Sequence, residues 1–223
     1  MGDGGKREAG KREAGKPEPG IREMTVGQFL DALASAEPTP GGGSASALAG
    51  AMGAALAAMV ARLSKGKGGD DLAFERSAQA AERSKTWLAN LSTDDAEAFD
   101  AVLRALHLPR GTDEEKQARQ AAVQQALRGA AEVPLRVMRQ AVDVLKLLPD
   151  LARRGNPNAV SDAAVGALLA YAAAHGALQN VRINLTSIKD ESFAARLRTE
   201  SDALGDEAAR LRDATMAALR EHT

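Results

Sequence analysis

The sequence contains no cysteine among its 223 residues. Disulfide bonds, thiolate nucleophiles and cysteine-bound metals are therefore excluded together. The N-terminus also lacks the apolar stretch of a secretory signal peptide, and these two absences predict a cytoplasmic protein. At this length the chain can form one domain with a substantial core.

Aromatic residues are few, and neither sign of charge is in excess. Phe, Trp and Tyr make up 3% of the sequence, and Lys+Arg 29 against Asp+Glu 30 gives a net charge of -1. A nucleic-acid-binding protein needs a basic face to meet phosphates and, for single strands, rings on which bases stack. The composition therefore argues against a nucleic-acid partner.

Strongly apolar residues do not form a long run. The uncharged stretch of residues 44–61 reaches the length of a membrane span, which needs roughly 17 to 25 apolar residues. It consists mostly of Ala, Gly and Ser, however, with only a few large apolar side chains. Such a helix gains little from lipid and much from tight packing on protein, so we expect a buried helix and no membrane partner.

Several enzyme motifs are absent as well. No P-loop and no G-x-G-x-x-G occurs, and His175 has no second His or carboxylate at metal-ligand spacing, so no metal site is expected. Alternating strand patterns of useful length are missing, whereas apolar residues recur with helical spacing over most of the chain. The prediction is an all-α fold, an up-and-down bundle of long helices rich in small residues.

Two regions of the chain differ in composition. Residues 1–23 repeat the sequence GKREA and are rich in charge, Gly and Pro, so we predict a disordered N-terminal tail. Residues 24–223 form the predicted helical domain, in which a short helix precedes the long ones. Capping patterns place helix starts at Thr25-x-x-Gln28, Thr112-x-x-Glu115 and Ser187-x-x-Asp190.

The most distinctive stretch is PTPGGGSASALAGAMGAALAAMVARL, residues 38–63. Gly41, Gly42 and Gly43 form a flexible loop whose backbone N–H groups can approach a ligand. In the helix that follows, small residues recur at every fourth position, namely Ala45, Ala49, Gly53, Ala57 and Ala61. This spacing leaves one helix face nearly without side chains, so we expect another helix to pack directly against it.

Asp95 interrupts the apolar face of the helix predicted over residues 72–106. Leu88, Leu91 and Phe99 share that face. If the carboxyl group points inward, burial raises its pKa and makes it a candidate proton carrier near neutral pH. Ser92-x-x-Asp95 also has the form of a capping box, in which case Asp95 would cap or break the helix. The periodicity leaves both interpretations open.

Polar residues mark both ends of a second small-residue helix, within GNPNAVSDAAVGALLAYAAAHGALQNVRINL. Asp162 and Asn180 share a helix face but lie roughly 27 Å apart along it, too far for one small site in a single straight helix. They either serve different ends of the molecule or are brought together by a second subunit. Asn180 and Asn184 lie one turn apart, and they either bind a polar ligand jointly or bond to a neighbouring helix.

These motifs, in this order and spacing, resemble the cyclodeaminase/cyclohydrolase family of folate enzymes. The resemblance rests on PTPGGGSASALAGAMGAAL, on the segment from Asp95 to Phe99, on Val133-Pro134 and on the stretch ending in NVRINL. It extends from Met24 to the C-terminus. It implies an all-helical subunit, a homodimer and a tetrahydrofolate pocket, with no cofactor beyond the tetrahydrofolate substrate.

The resemblance also implies roles for individual residues. The family's catalytic aspartate falls on Asp95, which favours the proton-carrier interpretation. Lys67 fits a basic position that could hold the glutamate tail of folate. The other residues expected to bind the substrate are Gly41, Gly42, Gly43 and Ser44 of the glycine motif, which would line the pterin pocket, and the polar residues Asn156, Ser161, Asp162, Asn180 and Asn184.

Two activities of the family follow from the resemblance. Cyclohydrolysis opens 5,10-methenyltetrahydrofolate to 10-formyltetrahydrofolate, and cyclodeamination forms the methenyl bridge from formimidoyltetrahydrofolate with release of ammonia. A stand-alone chain with no formiminotransferase domain could have either activity; we expect the cyclohydrolase and keep the cyclodeaminase as the alternative. A catalytically silent helical dimer that binds folate as a scaffold stays open as an alternative of a different class.

Overall fold

The computed structural model describes residues 20–67 and 69–221. Two short 3₁₀ turns, Ile21–Glu23 and Pro157–Ala159, accompany six α-helices. No strand occurs in these two ranges, so the predicted all-α class is confirmed. The helices are α1 Val26–Leu33, α2 Gly42–Ser64, α3 Asp71–Leu106, α4 Asp113–Arg154, α5 Val160–Leu185 and α6 Glu191–Arg220.

The first described residues belong to the predicted N-terminal tail. Ile21 is buried against α3, and the Arg22 guanidinium donates a hydrogen bond to Asn90 Oδ1 at 2.8 Å. These contacts fix residues 21–23 on the helical domain, which therefore begins slightly before Met24. Residues 1–19 of the predicted tail lie outside the described part of the chain.

Side-chain caps determine where several helices begin. The predicted capping boxes of Thr25 with Gln28 and of Thr112 with Glu115 are both present, at the starts of α1 and α4. The prediction for α6 is wrong by one turn, because Asp190 and not Ser187 caps this helix. The Asp190 carboxylate accepts the Phe193 N–H at 3.0 Å, which satisfies a backbone donor that has no partner within the helix.

The long helices form an up-and-down bundle. Helix α2 lies between α3 and α5, and α4 packs on α3, α5 and α6. Helices α2 and α5 run antiparallel, because Gly42 at the start of α2 lies near Asn180, and Ser64 at its end bonds to Asn156. The N-terminus of α2 therefore meets the C-terminal part of α5.

Small residues let α2 and α5 approach each other closely, as the four-residue spacing predicts. A Cβ atom on Gly53 would lie 2.8 Å from the Gly166 carbonyl oxygen and 3.1 Å from the Ala170 nitrogen, so these two backbones are in direct contact. Helix α4 supplies the larger side chains of the core, among them Leu135, Met138, Leu145 and Leu148.

In the part of the chain that the structure describes, one helix is long and apolar enough to cross a membrane by length and composition. This helix is α2. In the structure 61% of the most apolar stretch of α2 is buried, between α3 and α5. The burial agrees with the prediction of a core helix.

The remaining surface of α2 and α5 forms an exposed apolar face, defined here by Met52, Met59 and Leu63 of α2 and Val165 and Leu168 of α5. Met52 is 54% exposed and Leu168 is 50% exposed. Helix α2 carries no charge before Arg62, and α5 carries none between Asp162 and Arg182. An uncharged apolar face that spans two long helices is unusual for a surface left in water.

Helix α1 also exposes its apolar stripe. Val26 is 78% exposed and Leu30 is 55% exposed, and no residue of this helix is buried by the described part of the chain. Val26, Phe29, Leu30 and Leu33 have the spacing of an apolar stripe, but within the described part of the chain this stripe does not reach the core.

Candidate active site

Helix α3 carries Asp95 past the N-terminus of α2, and the carboxyl group is pressed against Gly43. A Cβ atom on Gly43 would lie 2.5 Å from Asp95 Cγ and 2.6 Å from Oδ2. No real Cβ atom tolerates such distances, so only glycine at position 43 permits this placement of the carboxyl group. Helix α3 continues unbroken from Asp71 to Leu106, so the interpretation of Asp95 as a helix cap or breaker within α3 is wrong.

Ser44 is the hydrogen-bond partner of Asp95. Its side chain is fully buried, and its Oγ atom lies 3.1 Å from Asp95 Oδ2 and 2.9 Å from the Ser92 carbonyl oxygen. Helix α2 has no side-chain cap of its own, and the backbone N–H of Ser44 in its first turn faces the Asp95 carboxyl group and lowers its pKa.

Two opposing effects act on the pKa of Asp95. Burial is the larger and raises the pKa above the ordinary value for aspartate, because the charged form loses water. The hydrogen bonds from the Ser44 hydroxyl and from the Ser44 backbone N–H lower it, because both favour the carboxylate. The net shift is upward, which brings the proton affinity of this carboxyl group closer to that of a proton carrier at neutral pH.

The neighbouring carboxylate takes no part in this arrangement. Asp94 points away from Asp95 and forms an ion pair with Arg136 of α4, with 3.1 Å between Oδ2 and the guanidinium nitrogen. Arg136 is thus engaged with Asp94, and no charged side chain among the described residues pairs with Asp95.

Asn180 lies at the Asp95 end of the bundle. A Cβ atom on Gly42 would lie 4.0 Å from the Asn180 amide nitrogen, so this side chain stands beside the glycine motif. The amide donates a hydrogen bond to the Gly176 carbonyl oxygen of its own helix at 2.9 Å. Asn180 therefore flanks the turn of α2 that holds Asp95.

Asn184 is committed to a different contact. Its amide nitrogen donates a hydrogen bond to the Ala130 carbonyl oxygen of α4 at 2.8 Å. The sequence left two roles open for Asn184, and the structure contains the hydrogen bond to a neighbouring helix.

Four other predicted substrate-binding residues lie at the opposite end of the bundle. Asn156 donates hydrogen bonds to Ser64 Oγ at 2.8 Å and to the Leu63 carbonyl oxygen at 3.1 Å, beside the C-terminus of α2. Lys67 follows that terminus, and Ser161 and Asp162 lie in the first turn of α5. Since α2 spans Gly42–Ser64 and Asp162 lies 18 residues before Asn180 on α5, roughly 27 to 33 Å separates these residues from Asp95 within one chain.

The structure thus divides the predicted site into two groups. It brings Asp95, Asn180 and the motif Gly41–Ser44 together, whereas Lys67, Asn156, Ser161 and Asp162 form the distant group. Sequence reasoning missed one contributor to the site, the Ser92 backbone carbonyl, which accepts a hydrogen bond from the Ser44 hydroxyl. A main-chain acceptor has no side-chain signature, so no pattern could have identified it.

His175 lies mid-way along α5, and its ring centroid is 4.3 Å from that of Tyr171. His175 is thus packed against an aromatic side chain one turn away on the same helix. Among residues 20–67 and 69–221, no group of three His, Asp or Glu side chains is arranged to hold a metal ion.

The comparisons of this chain with known proteins agree with one another. A sequence model of the Formiminotransferase-cyclodeaminase family matches residues 25–203. A methenyltetrahydrofolate cyclohydrolase of Methylorubrum extorquens is 43% identical over 192 residues, which cover 85% of this chain and 92% of that protein. A formimidoyltransferase-cyclodeaminase of Sus scrofa is 36% identical over 183 residues, which cover 81% of this chain but only 34% of that protein.

A solved structure agrees with these relatives. The crystal structure of formiminotetrahydrofolate cyclodeaminase from Thermotoga maritima matches with a TM-score of 0.81 and 32% sequence identity. The match covers 90% of this chain and 98% of that one. The relatives therefore include enzymes named for each of the two activities that the motifs predict.

Proposed function

The chain belongs to the formiminotransferase-cyclodeaminase family, and from this premise we propose that it hydrolyses 5,10-methenyltetrahydrofolate to 10-formyltetrahydrofolate with Asp95 as the proton carrier. The observation that carries the proposal is the half-buried Asp95 carboxyl group, held against Gly43 and bonded to Ser44. No resident cofactor is proposed beyond the tetrahydrofolate substrate.

The hydrolysis needs one group that accepts a proton and then returns it. Water attacks the carbon that bridges N5 and N10, and the Asp95 carboxylate accepts one of its protons to give a neutral carbinolamine. As the bond from carbon to N5 breaks, the Asp95 carboxyl group returns that proton to N5. The carbinol proton is released as the formyl C=O bond forms, so the cationic substrate and water yield neutral product and one proton.

The geometry fits this double role of Asp95. Oδ2 accepts from the Ser44 hydroxyl, whereas Oδ1 lies against Gly43 and has no side-chain donor among the described residues. We propose that Oδ1 exchanges the proton with water and with N5. A pKa raised by burial makes the proton return easier than it would be for an ordinary aspartate.

Cyclodeamination is the alternative activity. There N10 attacks the carbon of the protonated formimidoyl group, the N10 proton passes to the exocyclic nitrogen, and ammonia leaves to give the cationic methenyl bridge. Asp95 could carry that proton as well, and the solved relative is named for this reaction. The cyclohydrolase of Methylorubrum extorquens favours hydrolysis, because it is similar to this chain over nearly its whole length, whereas this chain spans about a third of the Sus scrofa protein.

A side-by-side assay decides between these activities. The purified protein is mixed separately with 5,10-methenyltetrahydrofolate and with 5-formimidoyltetrahydrofolate, and the methenyl absorbance is followed. With 5,10-methenyltetrahydrofolate we expect the methenyl absorbance to fall faster than in buffer alone. With 5-formimidoyltetrahydrofolate we expect no methenyl absorbance to appear. A rise of methenyl absorbance with the formimidoyl substrate, together with no acceleration of hydrolysis, would assign the cyclodeaminase activity instead.

We further propose that the protein is a homodimer that pairs through the exposed apolar face of α2 and α5. A two-fold axis perpendicular to α2 would place the C-terminal end of α2 in one subunit beside the N-terminal end of α2 in its partner. That arrangement would bring the distant group of Lys67, Asn156, Ser161 and Asp162 towards the partner's Asp95 end. The absence of charge on the face and the separation of the two polar groups support this proposal.

Leu168→Glu tests the dimer. A charge placed on the centre of an apolar interface loses its water on pairing, so we expect the mass in solution to change from dimer to monomer and turnover to fall with it. Leu108→Glu, at an exposed apolar residue of the loop between α3 and α4, is the control and should change neither. Light scattering coupled to gel filtration reports the mass. A wild-type protein that is monomeric at micromolar concentration would contradict the proposal.

The remaining assignments stay predictions. Gly41, Gly42, Gly43 and Asn180 are expected to line the pterin site, and Lys67 of the second subunit to meet the glutamate tail. A folate-binding helical dimer without catalytic activity is the alternative of another class. We expect no nucleic-acid or membrane partner and a cytoplasmic location.

A further inference from the structure

The Ser44 hydroxyl stands between two acceptors. It is fully buried, and its Oγ atom lies 2.9 Å from the Ser92 carbonyl oxygen and 3.1 Å from Asp95 Oδ2. A serine hydroxyl has one proton, so it donates to one acceptor at a time. Water cannot reach this hydroxyl to replace either acceptor.

The charge on Asp95 determines which acceptor is preferred. A carboxylate is a much stronger acceptor than a backbone carbonyl, because the hydrogen bond is charge-assisted. When Asp95 carries a proton on Oδ1, its Oδ2 atom becomes an ordinary carbonyl oxygen, and the two acceptors become comparable. The Ser92 carbonyl is then the nearer one.

We propose that Ser44 is a positioning residue for the proposed reaction, whose hydroxyl turns between Asp95 Oδ2 and the Ser92 carbonyl oxygen as Asp95 loses and gains its proton. In both states the buried hydroxyl keeps an acceptor, so the proton cycle never leaves it unpaired. In the charged state its bond holds Oδ2 in place and leaves Oδ1 to exchange protons. This inference rests on the proposed function of Asp95.

Among the described residues no charged side chain bonds to Asp95, and Arg22 of the 3₁₀ turn that packs on α3 is bonded to Asn90. Helix α2 has no ionisable side chain before Arg62, and α5 presents the neutral Asn180 amide at this level. Helix α4 presents Arg136, which is paired with Asp94. Burial, the Ser44 hydroxyl and the Ser44 backbone N–H are the influences on the Asp95 pKa, so removal of the hydroxyl acts on that pKa directly.

The test compares two buried serines. Ser44→Ala removes the hydroxyl that faces Asp95, whereas Ser92→Ala removes an equally buried hydroxyl that bonds to the Ala89 carbonyl and leaves the Ser92 carbonyl in place. The Asp95 carboxyl group is titrated by ¹³C NMR without substrate, with its resonance assigned by Asp95→Asn. We expect Ser44→Ala to raise the Asp95 pKa by about one unit, since a hydrogen bond to a charged group is lost, and Ser92→Ala to leave it at the wild-type value.

A kinetic readout complements the titration. The proposed reaction starts from the Asp95 carboxylate, so turnover falls as the pH decreases through the Asp95 pKa. Ser44→Ala should therefore move the acid limb of the kcat/KM profile to higher pH by the same amount as it raises the Asp95 pKa. Ser44→Gly, which changes the side-chain volume differently, should give the same shift. An unchanged Asp95 pKa in both Ser44 variants, or an equal shift in Ser92→Ala, would overturn the inference. Because the titration needs no substrate, it stands even if the protein fails to turn over folate.

Discussion

Asp95→Asn should lower the turnover of 5,10-methenyltetrahydrofolate by about 10²–10⁴-fold, the range typical of a lost general acid–base group. The amide keeps the size of the carboxyl group and can still accept from Ser44, so the packing against Gly43 is preserved. It cannot take a proton from water or return one to N5. The loss should therefore appear in kcat, with KM changed far less.

The matched control is Asp94→Asn, one residue away on the same helix. It removes the salt bridge to Arg136, in which both side chains are more than a third exposed, so the expected effect on stability is about 0–1 kcal/mol. Turnover should stay within a factor of a few of wild type, and thermal unfolding of both variants shows whether the bundle is intact. Full turnover by Asp95→Asn would show that another group carries the proton.

Gly43→Ala should lower turnover by about 10²-fold or more, because displacement of a reacting group by an ångström can cost that much. The new methyl group would lie 2.5 Å from Asp95 Cγ, so the carboxyl group must leave its position or α2 must shift. Either movement breaks the bond from Ser44 to Oδ2. Overpacking of this kind should also reduce the free energy of unfolding by about 1–3 kcal/mol.

Gly129→Ala, within α4 and outside the proposed site, is the control for this substitution. A Cβ atom on Gly129 would meet no neighbouring atom within 4 Å. Steady-state turnover and urea unfolding of the two variants measure the difference. Equal losses of turnover in Gly129→Ala and Gly43→Ala would mean that the specific contact between Gly43 and Asp95 has no importance.

Local patterns predicted the helices well. The capping boxes at Thr25 and Thr112 lie where the sequence places them, because each depends on residues three positions apart. The cap of α6 shows the limit of this reasoning. Ser187 and Asp190 are both good capping residues, and the loop that joins α5 to α6 decides in favour of Asp190.

The candidate site was predictable in part. Helical periodicity indicated that Asp95 shares a face with apolar residues, but it could not exclude a helix cap, and the family resemblance decided between these two interpretations. Which partner faces Asp95 depends on how α2 and α3 pack, and only the structure shows Gly43 and Ser44 there. The same tertiary packing separates Lys67 and Asn156 from Asp95, although motif matching had placed them in one site.

Two apolar surfaces of the molecule are not covered by the core of a single chain. The stripe of α1 and the apolar face of α2 and α5 have the spacing of buried surfaces, yet Val26 and Met52 are exposed. Periodicity predicts that a face is apolar and does not say whether the same chain covers it. A second subunit is the partner we propose for the α2 and α5 face.

The most direct test of the proposed function measures binding and turnover of 5,10-methenyltetrahydrofolate on the same samples of wild type and Asp95→Asn. Calorimetry or fluorescence gives the Kd, and stopped-flow absorbance gives the rate of methenyl loss. We predict that both proteins bind the substrate with similar Kd and that only the wild type opens the ring rapidly. Binding without turnover by the wild type would contradict the enzymatic function and favour a folate-binding scaffold.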